Sequence, residues 1–314
     1  MPKPNSLEKG TVIKSTGSRY KILTGGGNVV ESCIRGKLRM NETRKTNPIA
    51  VGDEVLFETD RKTGAGIITA LLDRRNYILR KSSNLSRHSQ VIAANIDQAL
   101  LMITVKMPET PVEFIDRFLV SAEAYRIPAI ILINKTDLYQ PDDLEKMYSL
   151  ESMYRNIGYR TMHFSITAGF DPQPLVELMK NKVSLISGNS GTGKSSLLNT
   201  LNPQLRIRTE KISDYHLQGK HITTYPEMYP MPFGGFAIDT PGIRGFGVVD
   251  MERNEISHFF PEIFKTSKNC RFGSCLHIDE PGCAVKEALA CGAINPLRYR
   301  SYLNIVEADD RKYR

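Results

Sequence analysis

The residues Gly188-Asn189-Ser190-Gly191-Thr192-Gly193-Lys194-Ser195 follow an apolar run, Val183-Ser-Leu-Ile-Ser, and precede Ser196-Leu-Leu-Asn-Thr-Leu. Glycines between a buried strand and a helix start let backbone N–H groups turn inward around a phosphate. The helix N-terminus already favours an anion there. Lys194 is placed to reach β- and γ-phosphates, Ser195 to offer its hydroxyl to Mg²⁺, and Ser196 to close the phosphate turn. A glycine-rich turn with a surface lysine is the alternative, but strand, loop and helix occur together in the required order.

Downstream, Asp239-Thr-Pro-Gly242 follows the β-like run Gly235-Phe-Ala-Ile. A carboxylate at a buried strand end after a phosphate loop is where a second Mg²⁺ contact belongs, with Gly242 N–H facing a γ-phosphate. An Asp-Pro-Gly surface turn is the competing explanation. Between the two loops lies Gly219-Lys-His221-Ile-Thr223-Thr224. A threonine here completes the Mg²⁺ shell once a γ-phosphate orders the segment. Thr223 is preferred to Thr224, although spacing does not separate them. The position after Gly242 is Ile243, which cannot hold a water molecule. Catalysis therefore needs another polar group, and His221 is the candidate, against the alternative of a loop histidine with no catalytic part.

Asn134-Lys135-Thr136-Asp137 ends the apolar run Ala129-Ile-Ile-Leu-Ile. A carboxylate at Asp137 accepts bonds from guanine N1–H and its 2-amino group, and adenine offers neither donor. Asn134 is expected on the opposite edge of the base and Lys135 over the ring. Ser165-Ile166-Thr167 is expected to supply a backbone N–H to guanine O6. The base-reading motif precedes the phosphate loop, the reverse of the usual order, as in a circular permutation that keeps the site while moving the termini.

Cys270-x₄-Cys275-x-His277-x₅-Cys283 places three thiols and an imidazole within fourteen residues. This is the ligand set of a closed, structural zinc site. Cys33 and Cys291 read as packing residues. Five cysteines, four of them clustered at or after Cys270, do not resemble the disulfide framework of a secreted chain.

The elements that position these groups fall into segments. Residues 7–73 show short β segments separated by glycine turns, as in a small barrel or sandwich. Residues 74–90 are polar and basic and read as a linker. Residues 91–249 alternate buried strands and helices, an α/β pattern with a mostly parallel sheet. Residues 250–314 lose the strands, and short helices surround the cysteines. The net charge is +8, and residues 1–90 carry 17 Lys+Arg against 8 Asp+Glu, so the whole excess lies there. That bias fits either an ordinary solvated surface or a module facing a polyanion such as RNA. No apolar run is long enough for a membrane helix and the N-terminus lacks a secretory core, so a cytoplasmic chain without a membrane partner is expected.

Taken together, the basic β module, the permuted motifs and the cysteine spacing resemble the ribosome small-subunit-dependent GTPase family, RsgA or YjeQ. The match runs over essentially the whole chain, with Gly188 to Leu197 fitting G-x-S-G-x-G-K-S-S-L. The resemblance implies an α/β P-loop GTPase, circularly permuted, with an N-terminal all-β OB-fold barrel and a small C-terminal α-helical zinc-binding domain. It implies a monomeric bacterial protein that binds GTP and GDP, Mg²⁺ and one Zn²⁺. It further implies hydrolysis of GTP on the immature 30S subunit, with 16S rRNA as the contacted surface. The family's catalytic histidine falls on His221, and its switch reads G-[RK]-H-T-T-T, where this chain has Ile222 at the first threonine. The rival expectation is a GTP-controlled RNA-binding assembly factor without turnover. Tyr20, Phe57 and Tyr77 are candidates for stacking RNA bases, or equally for core.

Overall fold

The computed structural model describes residues 7–34, 48–60, 63–81, 89–208, 226–240 and 251–310. Strands β1 (Leu7–Ser15), β2 (Tyr20–Thr24), β3 (Val29–Ile34), β4 (Glu54–Thr59) and β5 (Gly66–Leu71) form the N-terminal unit. They pair in the order β1-β2-β3-β5-β4, and β4 returns to β1, so the sheet closes on itself. That is the five-stranded closed order of an OB-type barrel. Alternation along each strand turns Val12, Tyr20, Ile22, Val55, Phe57 and Ile68 inward. Tyr20 and Phe57 are 1% and 0% exposed and thus fill the barrel; neither presents a face to a base. Tyr77 is 38% exposed and packs against the Tyr125 ring at 5.4 Å. Cys33 and Cys291, expected as packing residues, are both exposed.

The residues read as a linker are partly a hairpin, β6 (Tyr77–Lys81) with β7 (Ser89–Ala94). Its Ile78, Ile92 and Ala93 join the core of the following α/β unit. The basic residues of this stretch concealed that pattern in the sequence.

The α/β unit contains β8 (Gln98–Ile103), β9 (Ala129–Ile133), β10 (Arg160–His163), β11 (Val183–Ser187), β12 (Glu227–Pro230) and β13 (Phe236–Asp239). Their order is β10-β9-β8-β11-β13-β12, parallel except for β12. The central strands are apolar on both faces because helices cover both sides. Helices Val112–Ala124 and Pro141–Ile157 belong to one core layer; Gln173–Met179 and Lys194–Leu201 belong to the other. The helix Pro141–Ile157 starts with proline and a reciprocal Gln140/Asp143 cap, and Gly158 in a left-handed conformation ends it. Strand β12 also pairs with β1, with Lys14 opposite Glu227, so barrel and α/β sheet are continuous.

C-terminal to these, helices Pro261–Ser267, Ala284–Ala290 and Pro296–Asp310 enclose a third core. Val120 of the helix Val112–Ala124 belongs to that same core, which docks the C-terminal unit on the α/β unit.

Candidate nucleotide site and metal centre

The phosphate loop leaves β11 at Ser187 and enters its helix at Lys194. Gly188 has φ 148°, and a Cβ there would lie 2.2 Å from the Met102 carbonyl oxygen. Gly193 has φ 103°, and a Cβ there would lie 2.4 Å from Asn134 Nδ2. Both positions therefore require glycine. The close approach at Gly193 lets Asn134 Nδ2 donate to the Thr192 carbonyl at 2.8 Å. Lys194 Nζ donates to the Gly188 and Asn189 carbonyls at 2.8 Å each, curled within the loop it serves. Burial lowers the Lys194 pKa and the nearby Asp239 carboxylate opposes this. Asn189, Ser195 and Ser196 are half-buried, and Ser190 and Gly191 are exposed at the turn's tip.

The base loop is braced from three sides. Tyr139 Oη donates to the Asn134 carbonyl at 2.6 Å and accepts from Val105 N at 2.8 Å. Lys135, at φ 67°, donates from Nζ to the Met107 carbonyl at 2.6 Å. Asp137 is exposed, and its two carboxylate oxygens accept from the Ser165 and Thr167 hydroxyls respectively. Each oxygen keeps a lone pair, so the carboxylate is oriented yet able to accept two further bonds. Thr136, whose N donates to the Phe164 carbonyl at 3.3 Å, starts the short turn carrying Asp137.

Asn134 also makes contacts that no motif announced. It is 3% exposed, and its Oδ1 accepts from Ile166 N at 3.2 Å while Nδ2 holds Thr192. The side chain staples the phosphate loop to the 165–167 loop. For the same reason, the Ile166 N–H is engaged within the protein.

Asp239 ends β13 beside β11 and is 4% exposed, and its Oδ1 has no hydrogen-bond partner among the described residues. Burial pushes its carboxyl up to about 6; Lys194 pulls it down and Glu227 adds to the rise. A buried carboxylate oxygen without a donor, next to a phosphate loop, fits a cation contact. The Ser195 hydroxyl on the first turn of the following helix supplies a second oxygen of the type Mg²⁺ takes.

In the C-terminal unit the ligand atoms of Cys270, Cys275, His277 and Cys283 all lie within 4.8 Å of one another. His277 Nδ1 is 3.6 Å from Cys270 Sγ and 3.5 Å from Cys283 Sγ, and those sulfurs are 4.0 Å apart. Tetrahedral zinc bonds give ligand separations of roughly 3.5–3.8 Å, so the group fits a single ion facing Nδ1. Burial pushes the Cys275 thiol up to about 12, so a thiolate there needs a cation beside it. The loop is pinned by Glu280, which accepts from Leu276 N at 2.7 Å and Ile278 N at 2.9 Å. Tyr299 and Tyr302 hydroxyls donate to the His277 and Leu276 carbonyls at 2.6 and 2.7 Å.

Sequence and fold comparisons identify the family. Residues 71–249 match the RsgA GTPase family, and residues 9–68 match the RsgA N-terminal domain. The chain is 50% identical over 307 residues to the small ribosomal subunit biogenesis GTPase RsgA of Bacteroides fragilis strain YCH46, covering 98% of this chain and 99% of that one. It is 48% identical to the Flavobacterium psychrophilum protein of the same name, covering 97% and 94%. The chain belongs to the RsgA GTPase family.

Solved structures extend the likeness to the whole RsgA architecture. YjeQ from Thermotoga maritima superposes with a TM-score of 0.77 at 36% identity, covering 96% of this chain and 98% of that one. YloQ, a circularly permuted GTPase, gives 0.73 at 29%, covering 99% and 98%. The RsgA fold here is thus a permuted GTPase carrying a strand barrel before it and a Cys/His cluster after it. The expected RsgA switch residues His221, Thr223, Thr224 and Gly242 lie outside the described residues. Three residues bearing on the site carried no motif: Tyr139, Met107 and Glu227. Of these, Tyr139 alone had a sequence signal, an aromatic residue two positions after Asp137.

Proposed function

We propose that this RsgA-family GTPase binds GTP between the 134–137 and 188–196 loops and hydrolyses it while engaged with the small ribosomal subunit. The observation carrying this reading is the Asp137 carboxylate, oriented by Ser165 and Thr167 and joined through Asn134 to the phosphate loop at Thr192. Guanine would complete the acceptor positions on Asp137, and the Gly188–Ser196 backbone and Lys194 would hold the phosphates. Ser195, Asp239 and Thr223 would hold Mg²⁺, which when bound neutralises phosphate charge. His221 is assigned the water-orienting role because Ile243 has no polar atom to do so.

The relatives named as small ribosomal subunit biogenesis GTPases place the reaction in small-subunit assembly. Contact with 16S rRNA is assigned to the barrel, on the charge excess of residues 1–90. Zinc is assigned to the Cys270/Cys275/His277/Cys283 cluster as a structural ion. A cytoplasmic monomer divided at residues 73, 90 and 249 completes the reading; no helix among the described residues is long and apolar enough to cross a membrane. GTP turnover measured with and without purified 30S subunits tests it. Stimulation by the subunit supports the proposal; equal rates would refute it.

A further inference from the structure

Three charged side chains stand in one row across the junction of barrel and α/β sheet. Lys14 on β1 is opposite Glu227 on β12, and Glu227 is opposite Asp239 on β13. Directly opposed residues project to the same face with Cβ atoms about 5 Å apart. Lys14 Nζ lies 3.0 Å from Glu227 Oε2, and Tyr229 Oη donates to that same oxygen at 3.4 Å. The two side chains are 36% and 30% exposed, so the bridge is within reach of solvent and solutes. Asp239, beyond Glu227, is buried.

Lys14 faces a second surface as well. It lines a cavity of about 320 Å³ on the barrel together with Arg19, Lys21, Glu31 and Ser32. Three cations against one carboxylate make this cavity complementary to phosphate. Lys14 is the side chain common to the cavity and to the row of charges leading to Asp239.

We propose that the barrel cavity takes a backbone phosphate of an RNA strand, and that Lys14 is shared between that phosphate and Glu227. Lys14 and Glu227 are then a positioning pair that couples RNA on the barrel to the cation held at Asp239. The proposal rests on reading Asp239 as a Mg²⁺ carboxylate. Its physical content is a competition for one positive charge. While Lys14 neutralises Glu227, the field at Asp239 is less negative. A phosphate that draws Lys14 away leaves the Glu227 charge uncompensated beside Asp239, and a divalent cation there is held more tightly. Linkage is reciprocal, so Mg²⁺ with nucleotide must tighten RNA on the barrel by the same factor.

The alternative is a bridge that only ties two sheets together, and the full-length chain distinguishes the two. Mg²⁺ is titrated into the complex with a fluorescent non-hydrolysable GTP analogue in wild type, K14Q, E227Q and the double variant. The coupling predicts opposite signs: K14Q tightens Mg²⁺ and E227Q weakens it, each by about fivefold. It also predicts that K14Q has a diminished effect in the E227Q background, because Lys14 then lacks the carboxylate that holds its charge near Asp239. A purely structural bridge would move both variants in the same direction or move neither.

The RNA arm uses a fluorescently labelled oligouridylate. Its affinity for wild type should rise about fivefold with Mg²⁺ and the analogue. K14Q should bind it more weakly, and E227Q should lose the Mg²⁺ response. Same-sign Mg²⁺ shifts, an undiminished K14Q effect in E227Q, or oligouridylate binding unchanged by K14Q would overturn the proposal. D239N separates the two levels: if it leaves Mg²⁺ affinity unchanged, the underlying site reading fails as well. If it weakens Mg²⁺ while the Lys14 and Glu227 effects are merely additive, the coupling alone fails.

Discussion

The Arg298 guanidinium lies 2.6 Å from the Asp116 carboxylate, and neither side chain is exposed to solvent. Arg298 also makes a forked contact to Glu262, at 2.7 and 3.0 Å, and stacks over the Phe260 ring at 4.6 Å. Asp116 additionally accepts from Tyr154 Oη at 2.7 Å. Burial pushes the Asp116 carboxyl up, and Arg298 pulls it back. One cation of the C-terminal unit thus fastens it to the helix Val112–Ala124 of the GTPase unit. Removing one partner leaves the other charged and buried.

Arg298→Ala is therefore expected to cost about 3–5 kcal/mol of stability, measured by urea unfolding of the full chain. Replacing Arg298 and Asp116 together by apolar residues should cost much less than the sum of the single changes. Additive losses in that double-mutant cycle would show that the pair does not act as a unit.

The metal centre predicts about one zinc per purified chain by elemental analysis. Cys275→Ser should lose the ion, and chelation should lower the melting temperature of the wild type. The core around Phe260, Ile263 and Tyr302 includes Cys275 and Cys283, so the loss should expose apolar surface. Metal-free protein with unchanged melting behaviour would contradict the assignment.

Asp239 predicts a pH dependence in metal-free, nucleotide-free protein. Its carboxyl is raised from 3.8 to about 6, chiefly by burial. Between those values the folded chain holds a proton that the unfolded chain has released. Stability contributed by this group is thus present at low pH and lost as pH rises through about 6, by roughly 3 kcal/mol. Asp239→Asn should flatten that slope and be more stable than wild type at neutral pH in the presence of EDTA. An identical slope in both proteins would refute it.

Much of the site was legible because chemistry fixes residue type and spacing together. The glycines at 188 and 193 are dictated by positive φ and by the close approach of the Met102 carbonyl and the Asn134 side chain, and the four metal-type ligands fall within one short loop. What the sequence concealed has physical causes. Glu227 sits in a four-residue strand, Glu227–Pro230, too short for alternation to show. The hairpin of β6 and β7 was masked by its basic residues, although Ile78 and Ile92 are core. Tyr20 and Phe57 could face either side of the barrel until the register was known. The stapling role of Asn134 depends on its contact with Thr192, fifty-eight positions away, which no local pattern encodes.

The central claim is that motifs in permuted order close into one guanine-reading site. Calorimetric titration of GTP, ATP and xanthosine triphosphate into wild type and Asp137→Asn tests it most directly. The account predicts that wild type prefers GTP over ATP by at least about 100-fold, and that Asp137→Asn reverses the order of GTP and xanthosine triphosphate. Equal affinity of wild type for GTP and ATP, or an unaltered preference in Asp137→Asn, would contradict it.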